Sequence, residues 1–522
     1  MKLTHKMVSL CAVFALLSAG AVFADDGFDF AGSSSSGTDA SSADASSDTS
    51  SSSVSAVPAV TIGGTIKMDA RAYLDKDDNH GEKTPTKVKP DGTLNINYST
   101  DASEVEAKLN FSEDSIKTYN QDVLQEAVAR VYVGNFIFEG GKEKLVWGKG
   151  DKLHVVDNFL ATDYTDFIIP DYIDRRLGEP MFRAVYNAPS GAFRAEAVYT
   201  PMMTADRLAS SGYWEPDQVT KLTTLVTNVE GAKVVAAQEA AKKAWSTYTA
   251  SSTNANHDSY VAAEKAALTA LNEASHFSSN DLLPNTNTLK YSQYGARITG
   301  TVGTLDWGLS YYLGHYKQPS ANMSAYLASY VANNGTSYVN PSLDYDRLQV
   351  FGLEAAKAFG RLNTRLEVAY NMTEDFDGDD PWVHNNSVSW VPGFDMDLPI
   401  HNVNINIQEI GTYILKGDKI EDNDKLYSNR DVDHDAKDRH TNNKLAVDLT
   451  DTFLHENLKF DILGTWGIER GDFILQPKMT YTVKTGWDLI LSGMWIYCKD
   501  ENSEFYAWRH NSFAQAGVKY MF

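Results

Sequence analysis

The sequence predicts an all-β protein: a transmembrane, antiparallel, up-and-down β-barrel of about 18 strands, with a helical hairpin inserted in an extracellular loop. Three observations predict this fold. Apolar and polar residues alternate with a period of two along many segments after residue 59. Short and long connections take turns between those segments, as they do in transmembrane barrels. After residue 24, no apolar run reaches the length of about 18 residues that a spanning helix needs.

The charge composition argues against one class of partner. The chain of 522 residues contains 46 Lys and Arg against 69 Asp and Glu, which gives a formal net charge of −23. A nucleic-acid-binding surface needs clustered positive charge that displaces counterions from phosphates. We therefore exclude nucleic acid as a partner. No motif in the sequence predicts a cofactor or a metal ion.

The N terminus predicts export from the cytoplasm. Residues 1–24 have the pattern of a cleaved secretory signal peptide, in which Lys2 and Lys6 precede a short apolar core and a small-residue cleavage site. Residues 25–58 are rich in Ser, Ala and Asp and bury too little apolar surface to fold, so we expect a disordered tether. The barrel is then predicted for residues 59–522.

The barrel prediction rests on strands that are apolar on one face only. In the first segment, two sets of residues alternate: Val60, Ile62, Ile66 and Met68 against Thr65, Lys67, Asp69 and Arg71. The same pattern returns in 103–111, 305–313, 458–469, 473–484 and 514–522. Pro477 departs from it, because proline cannot donate a ladder hydrogen bond, and predicts a bulge in its strand.

The connections separate a barrel from a β-sandwich, which has no reason to alternate short and long loops. Long connections are predicted after Leu74, Phe111, Lys149, Thr200, Tyr316, Asn371 and Leu415. Short turns are predicted near 100–103, 140–142, 189–191, 302–304, 360–361, 455–457 and 485–486. The strands between them number about 18, with about 16 as the alternative, and both termini fall on the side of the short turns.

One insertion, residues 203–286, breaks the two-residue period. Between Pro216 and His276, apolar residues recur at helical spacing on either side of a polar break at 251–256; they are Leu222, Leu225, Val229, Ala232, Ala236, Ala262, Ala266, Ala270 and Leu271. This spacing predicts a helical hairpin in an extracellular loop. It could cap a pore, pack on a neighbouring subunit or decorate the surface.

The last strand carries the most specific signal. Ala514, Ala516, Val518, Tyr520 and Phe522 alternate with polar or small residues, and the chain ends on the aromatic side chain. Together with the signal peptide and the loop alternation, this strand resembles the closing strand of Gram-negative outer-membrane porins, of the general or the substrate-specific class. The resemblance implies an outer-membrane location, contact with outer-membrane lipids and small hydrophilic solutes, and trimeric assembly. It also implies that Phe522, Tyr520 and Val518 form a signal for the barrel-assembly machinery.

A barrel of this size is too wide for side chains to fill, so its lumen is expected to hold water. The third long connection, which begins at Lys149, contains both apolar residues and acids. A freely exposed loop would not need the apolar residues. In general porins the third loop folds inward as an acidic constriction opposite a basic wall. By this resemblance we predict a constriction in which Asp157, Asp163, Asp166 and Asp171 face Arg130, Arg183 and Arg194. The alternative is a loop packed on the rim with its acids in water.

Other motifs are weaker. The acidic segments 374–380 and 431–435 place oxygens at alternate positions, but both lack the distal Glu of a calcium loop. Residues 470–472 form an Arg-Gly-Asp tripeptide, which occurs by chance too often to predict adhesion. No spacing predicts an enzyme. The sequence therefore favours passive diffusion of small hydrophilic solutes past a charged constriction; the alternatives are a surface adhesin and, third, an outer-membrane lipase or protease.

Overall fold

A computed structural model describes residues 59–75, 87–333, 338–380, 382–417, 419, 440–501 and 503–522. The predicted signal peptide, the predicted tether and the acidic segment 431–435 lie outside these described residues.

The described residues form a closed antiparallel barrel of 18 strands, because β1 pairs with both β2 and the last strand, β20. Two further short strands, β10 (Ser320–Asn322) and β11 (Ser342–Asp344), form a separate hairpin. The barrel strands are β1 (Ala59–Tyr73), β2 (Lys87–Ser99), β3 (Ser103–Asn110), β4 (Leu124–Val133), β5 (Phe136–Glu143), β6 (Glu179–Asn187), β7 (Phe193–Thr200), β8 (Gln293–Val302), β9 (Leu305–His315), β12 (Arg347–Phe359), β13 (Leu362–Met372), β14 (Ser387–Asp397), β15 (Asn404–Ile414), β16 (Thr441–Phe453), β17 (Leu458–Gly467), β18 (Phe473–Lys484), β19 (Trp487–Tyr497) and β20 (Phe513–Met521).

The structure confirms the fold class and the strand number of 18, so the alternative of 16 is wrong. Each strand pairs with its neighbour in the chain, apart from the closing pair and the β9–β12 pair that flanks the small hairpin. Short turns alternate with longer loops along the barrel, except that the connection between β17 and β18 comprises only residues 468–472. The sequence pattern did not predict the turn 398–403 or the loop 498–512, both of which the structure contains.

One predicted turn is wrong. Residues 140–142 lie inside β5, and the turn instead uses Gly134 and Asn135. Gly141 has a φ of 147°, and a Cβ there would collide with the backbone carbonyl of Ala127 on β4. The glycine pair therefore marks a close approach of two strands, which is the other common use of glycine in a sheet.

The predicted bulge at Pro477 is also wrong. The pairing of β18 with β19 skips residues 476 and 477 and resumes in the same register, from Leu475↔Trp495 to Lys478↔Ser492. At the proline the strand thus loses ladder bonds without inserting an extra residue, and its register shift lies instead between Thr482 and Lys484. Towards β17, Pro477 still pairs with Ile462.

The helical insertion is a hairpin of two long helices on the side of the long loops. These are α3 (Asp217–Ala250) and α4 (Asn254–His276); three shorter helices elsewhere are α1 (Glu113–Lys117), α2 (Tyr172–Arg175) and α5 (Ser324–Ala332). At the base of the hairpin, Leu225 and Val229 pack against Met323 and Tyr326. No helix in the described part of the chain is long and apolar enough to cross a membrane.

Part of the predicted helical seam is wrong. Ala236, Ala262, Ala266 and Leu271 are exposed. Ala270 is half-buried as predicted, but the other half-buried alanines lie at neighbouring positions, namely Ala237, Ala241, Ala244, Ala263, Ala267 and Ala274. Small side chains let the two helices approach closely, and so the alanine row forms the contact. Spacing alone did not choose between neighbouring rows of alanines.

The hydrophobic core lies inside the barrel, near the ends of the strands that carry the long loops. Inward-facing residues such as Val350, Ile410 and Leu463 are buried in one cluster with Phe159 and Ile168 of the loop between β5 and β6. Outward-facing residues near the first strand's start, such as Val60 and Ile62, are exposed. The described loops thus pack into the end of the lumen that carries the long loops.

Candidate pore constriction

The loop between β5 and β6, residues 144–178, is called the third loop below. It is held by the inward-facing carboxylate of Glu367 on β13. Glu367 accepts hydrogen bonds from the backbone N–H groups of Lys149 (2.7 Å), Gly150 (2.6 Å) and Val155 (2.9 Å), and its Oε1 lies 3.0 Å from His154 Nδ1. Four donors therefore converge on one carboxylate, which fixes this part of the loop.

The third loop reaches the opposite wall of the barrel. The backbone N–H of Lys152 donates to Gln408 on β15 at 3.1 Å, and its ammonium forms an ion pair with Asp448 on β16. Asp151 pairs with Arg365 on β13 and accepts from Asn406 at 2.7 Å. In the sheet order, β16 is nine strands from β5 around the 18-stranded barrel, which is the far side. The third loop therefore crosses the lumen and does not lie on the rim.

Aromatic packing holds the start of the third loop against β7, β8 and β9. Phe159 packs edge-on against Trp147 and against Tyr312, with ring centroids 5.0 and 5.1 Å apart. The indole N–H of Trp147 donates to Glu196 at 2.9 Å. Gly295 leaves room for this packing, since a Cβ there would lie 2.5 Å from the Phe159 ring. The apolar residues of the loop thus form core contacts with the barrel wall.

The four predicted acids have different partners. Asp157 bonds to Arg176 (2.6 Å) and Tyr172 within the third loop, and Asp163 bonds to Arg207 (2.8 Å). Asp171 directly precedes α2, where its backbone carbonyl accepts the first helical bonds. These three residues organise the loop and its neighbour, the segment that leads to α3.

Asp166 joins the third loop to the barrel wall. Its carboxylate accepts from both terminal nitrogens of Arg71 on β1, at 2.6 and 3.0 Å, and lies 2.9 Å from the Lys89 ammonium on β2. Burial opposes ionisation, but the two cations hold the pKa of Asp166 below its usual value. Of the predicted acids, Asp166 is the one that pairs with cations of the first two strands.

The predicted arginines pair with carboxylates of the wall itself. Arg130 lies 3.1 to 3.5 Å from oxygens of Glu104, Glu106 and Glu139. Arg183 lies 2.7 to 3.2 Å from oxygens of Glu139, Glu143 and Glu196, and Arg194 lies 3.8 Å from Glu196. In the described residues, these arginines pair with carboxylates of the barrel strands. Asp157, Asp163 and Asp166 pair instead with Arg176, Arg207 and Arg71.

The strand register explains this arrangement. Glu104 is paired across the sheet with Arg130, Arg130 with Glu139, and Glu139 with Arg183. The row continues through Glu196, Arg297 and Glu354, where Arg297 and Glu354 lie 2.6 Å apart. We did not predict Glu139 or Glu143 as site residues, because the misplaced turn at 140–142 hid the alternation of β5. Glu354, and the role of Glu367 in holding the third loop, were missed because sequence alone gives no register between strands.

The wall differs in exposure on its two sides. The carboxylate-bearing side chains of Glu367 and Asp448, beneath the third loop, are 0% and 7% exposed. On the other side, Lys67 and Glu106 are each 37% exposed and Arg194 is 41% exposed. The third loop therefore covers Glu367 and Asp448 and leaves Lys67, Glu106 and Arg194 in contact with water, whereas it buries Arg71 on β1 and Glu196 on β7.

Two of the weaker motifs have structural roles. In the segment 374–380, Asp375 accepts hydrogen bonds from the backbone N–H groups of Gly378, Asp379 and Asp380, so it folds a turn. The Arg-Gly-Asp tripeptide ends in Asp472, which is fully buried in the loop between β17 and β18. Its carboxylate lies close to Glu504 of the loop 498–512, and Glu504 lies 3.3 Å from the Lys444 ammonium.

The chain end closes the barrel. The backbone of Phe522 exchanges two hydrogen bonds with Gly64 on β1, of 3.0 and 3.1 Å. A Cβ at Gly64 would lie 2.2 Å from the Thr93 carbonyl on β2 and 2.8 Å from the Phe522 ring, so glycine makes room for both. Val518 and Phe522 are exposed on the outer face. Recognition of Phe522, Tyr520 and Val518 by the assembly machinery remains a prediction.

No protein family and no curated protein sequence matches this chain. Solved structures with a similar architecture include OccAB4 of Acinetobacter baumannii, at 8% identity and a TM-score of 0.41, over 89% of this chain and 98% of that one. The outer membrane channel DcaP of the same organism is similar at 10% identity and a TM-score of 0.36, over 89% and 97%.

A third similar structure is OccK2 (OpdF) of Pseudomonas aeruginosa, in complex with glucuronate, at 8% identity and a TM-score of 0.41, over 89% of this chain and 97% of that one. Identities and TM-scores this low assign no function to the chain. The fold itself is established by the strand pairing described above.

Proposed function

We propose that the protein is an outer-membrane channel through which small hydrophilic solutes diffuse passively. The supporting observation is the course of the third loop, which crosses an 18-stranded barrel and leaves one charged side of the wall in water. A solute would pass along the exposed charges of β3 and β4, beside the contact that Asp166 of the third loop makes with β1 and β2. No chemical step is needed, because the path is a hydrated gap whose charges select among solutes.

The narrowest part of this path is proposed to lie beside Asp166, Arg71 and Lys89. The solute would then pass along the part of the barrel wall that carries Arg130, Arg183 and Arg194. The three arginines are surrounded by more carboxylates than they can neutralise, namely Glu104, Glu106, Glu139, Glu143 and Glu196. Excess negative charge along a pore attracts cations and repels anions. We therefore expect a modest preference for cations.

The test is the current through single molecules of the full-length protein in a planar bilayer. A channel gives stepwise currents, and a salt gradient gives a reversal potential of the sign expected for cations. The adhesin alternative predicts no steps, and this outcome would refute the proposed channel.

The role of Asp166 is tested by Asp166→Asn, which leaves Arg71 and Lys89 without their shared anion. We expect the cation preference to fall and the conductance to change. The matched control is Asp258→Asn, on the exposed helix α4, which should leave both quantities unchanged. An unaltered reversal potential in Asp166→Asn would remove Asp166 from the constriction.

The remaining proposals follow from the same function. Residues 1–24 would direct export, the outer face of the barrel would contact outer-membrane lipids, and the C-terminal strand would be read by the barrel-assembly machinery. A homotrimer is the proposed assembly. Deletion of Phe522 should lower the amount of heat-resistant folded barrel in outer-membrane fractions, and a normal amount would contradict the assembly signal.

A further inference from the structure

Residues 201–216, called the linker segment below, connect β7 to α3 and contact the third loop along the way. The backbone N–H of Tyr164 donates to the Arg207 carbonyl at 2.8 Å, and the Arg207 N–H donates to the Thr162 carbonyl at 2.9 Å. The Asp206 carboxylate accepts from the Thr162 N–H at 2.7 Å. Three hydrogen bonds thus hold the middle of the linker segment to the third loop.

A stacked pair of rings joins the end of the linker segment to the third loop. Two residues separate Trp214 from the start of α3. Its indole stacks on the Phe167 ring, with centroids 4.8 Å apart and an interplanar angle of 2°. Phe505 and Trp508 of the loop 498–512 also contact Phe167, at 5.8 and 4.8 Å. Phe167 is therefore enclosed and only 1% exposed.

The backbone of Phe167 has an unfavourable conformation. Its φ is 55°, in the left-handed region that a bulky residue rarely adopts. Such a conformation persists only where the surrounding structure holds it, and here the enclosing rings do so. The preceding residue, Asp166, carries the contacts with Arg71 and Lys89 at the proposed narrowest part of the path. The position of Asp166 thus depends on the packing of its neighbour.

In the part of the chain that the structure describes, the buried contacts of the helical hairpin lie near its base. The buried residues of α3 end at Glu230, and α4 has none. Residues 231–250 of α3 therefore project from the base over about 30 Å, at 1.5 Å per residue. A large molecule bound to this projecting part would displace the base of α3 and, with it, Trp214.

The linker segment contains a place where it can bend. Residues 210–212 are exposed, and Gly212 has a φ of 86° with no atom within 4 Å of an added Cβ. They separate the part that bonds to the third loop from Trp214. Tyr213 stacks on Tyr73 at the end of β1, with centroids 4.0 Å apart. Movement of Trp214 would therefore break two aromatic stacks and no strand pairing of the barrel.

We propose that the helical hairpin regulates the width of the pore through Trp214. The structure is the narrow state, in which Trp214 holds Phe167 and Phe167 holds Asp166 on Arg71 and Lys89. Displacement of the hairpin withdraws Trp214, Phe167 adopts an ordinary backbone conformation, and Asp166 leaves the two cations. The wide state conducts more and prefers cations less. The inference rests on the proposed function, because it names the regulation of the same path.

The first test is Trp214→Ala in single-channel records of the full-length protein. We expect the fraction of time spent at the higher current level to rise at least about fivefold. The matched control is Trp214→Phe, which keeps a ring against Phe167 and should stay close to the wild type. Heat-resistant mobility in electrophoresis checks that both variants fold. Wild-type current levels in Trp214→Ala would overturn the proposal.

The second test displaces the hairpin without a change at Trp214. Ser259→Cys on α4, in a Cys498→Ser background, is biotinylated and then bound by streptavidin. The matched control is Asp377→Cys, in the loop after β13, whose side chain is 88% exposed. Streptavidin should raise the fraction of time at the higher level for Ser259→Cys and leave it unchanged for Asp377→Cys.

Two results of the second test would overturn the proposal. One is a fall or no change with streptavidin on Ser259→Cys, and the other is an equal change on Asp377→Cys. Added Trp214→Ala should abolish the response of Ser259→Cys, since the ring that transmits the displacement is gone. A wild type without currents would refute the proposed channel itself, whereas normal currents with an unresponsive hairpin would refute the regulation alone.

Discussion

The two sides of the lumen carry the same kinds of residues and differ in what covers them. On the covered side, the Glu367 carboxylate is fully buried and receives four donors from the third loop. On the water-exposed side, Glu104 is 34% exposed and shares Arg130 with two other carboxylates. The first side is thus a structural attachment for the loop, and the second is a solvated surface.

This difference teaches that inward position alone does not give a charge its role. Both residues are glutamates on strands that alternate in the same way, and both face the lumen. They differ because the third loop covers Glu367 and donates hydrogen bonds to it, whereas Glu104 is left in contact with water. Removal of either charge should therefore have effects of different kinds, structural on one side and electrostatic on the other.

The largest effect is expected from Glu367→Ala. The substitution leaves three backbone N–H groups and the His154 ring without their acceptor in a buried place. Such losses cost about 3–5 kcal/mol, and the loop should detach from β13. Urea unfolding should show the loss of stability, and single-channel records should show larger and noisier currents than the wild type.

The matched control is Glu104→Ala, the same substitution on the water-exposed side. Because Arg130 keeps Glu106 and Glu139, we expect a change of less than about 1 kcal/mol and no added noise. If the two variants lose the same stability, the distinction between the covered and the exposed side is wrong.

The stability of the loops around Asp472 is expected to depend on pH. Burial, together with the nearby Glu504 carboxylate, raises the pKa of Asp472 to about 7. A raised pKa of an acid means that the folded state binds its proton more tightly than the unfolded state does. The resulting stability is complete below the ordinary pKa of about 4 and is lost as the pH rises through about 7.

Asp472 links the loop between β17 and β18 to the loop 498–512, which also places Phe505 and Trp508 against Phe167 of the third loop. Hydrogen exchange of residues 498–512 should therefore be slow at pH 5 and faster at pH 8, after correction for intrinsic exchange. In Asp472→Asn, which cannot ionise, this difference should disappear. A pH response that persists in Asp472→Asn would assign it to another group.

The sequence predicted the barrel well because alternation is a local property. The residues of each strand alone indicate which side chains face outward and which face inward. The loop lengths and the terminal Phe522 then predict that the strands form an up-and-down barrel. The constriction was predicted less well, because ion pairs depend on which residues of neighbouring strands stand side by side. Arg130 and Glu139 are close through the register of β4 and β5, and no single-strand pattern contains that register.

The course of the third loop shows the same limit. Its apolar residues predicted that it packs against something, and the structure shows Phe159 against Tyr312 and Gly295. Its partners on β13, β15 and β16 are more than 200 positions away in the chain, as Lys149 and Glu367 show. Long-range partners of this kind follow from closure of the barrel, which fixes which wall faces which loop.

An intermediate effect is expected from Gly295→Val, which probes the covered side through packing alone. The added side chain would overlap the rings of Phe159 and Trp147, which cannot turn away within the core. Overpacking of this kind costs about 1–3 kcal/mol. Urea unfolding should show that loss, while Gly92→Val, on β2 where an added Cβ meets only ordinary contacts, serves as the control for β propensity.

The smallest effect is expected from Arg194→Gln on the exposed side. Arg194 is 41% exposed and lies 3.8 Å from Glu196, so its loss leaves a buried carboxylate that keeps its ion pair with Arg183 and its hydrogen bond from Trp147. Stability should stay within about 0.5 kcal/mol of the wild type. The pore gains one net negative charge, so the reversal potential under a salt gradient should move slightly towards that of a more cation-selective channel. A shift towards anions, or a loss of stability as large as that of Glu367→Ala, would place Arg194 among the structural attachments and not on the solvated wall.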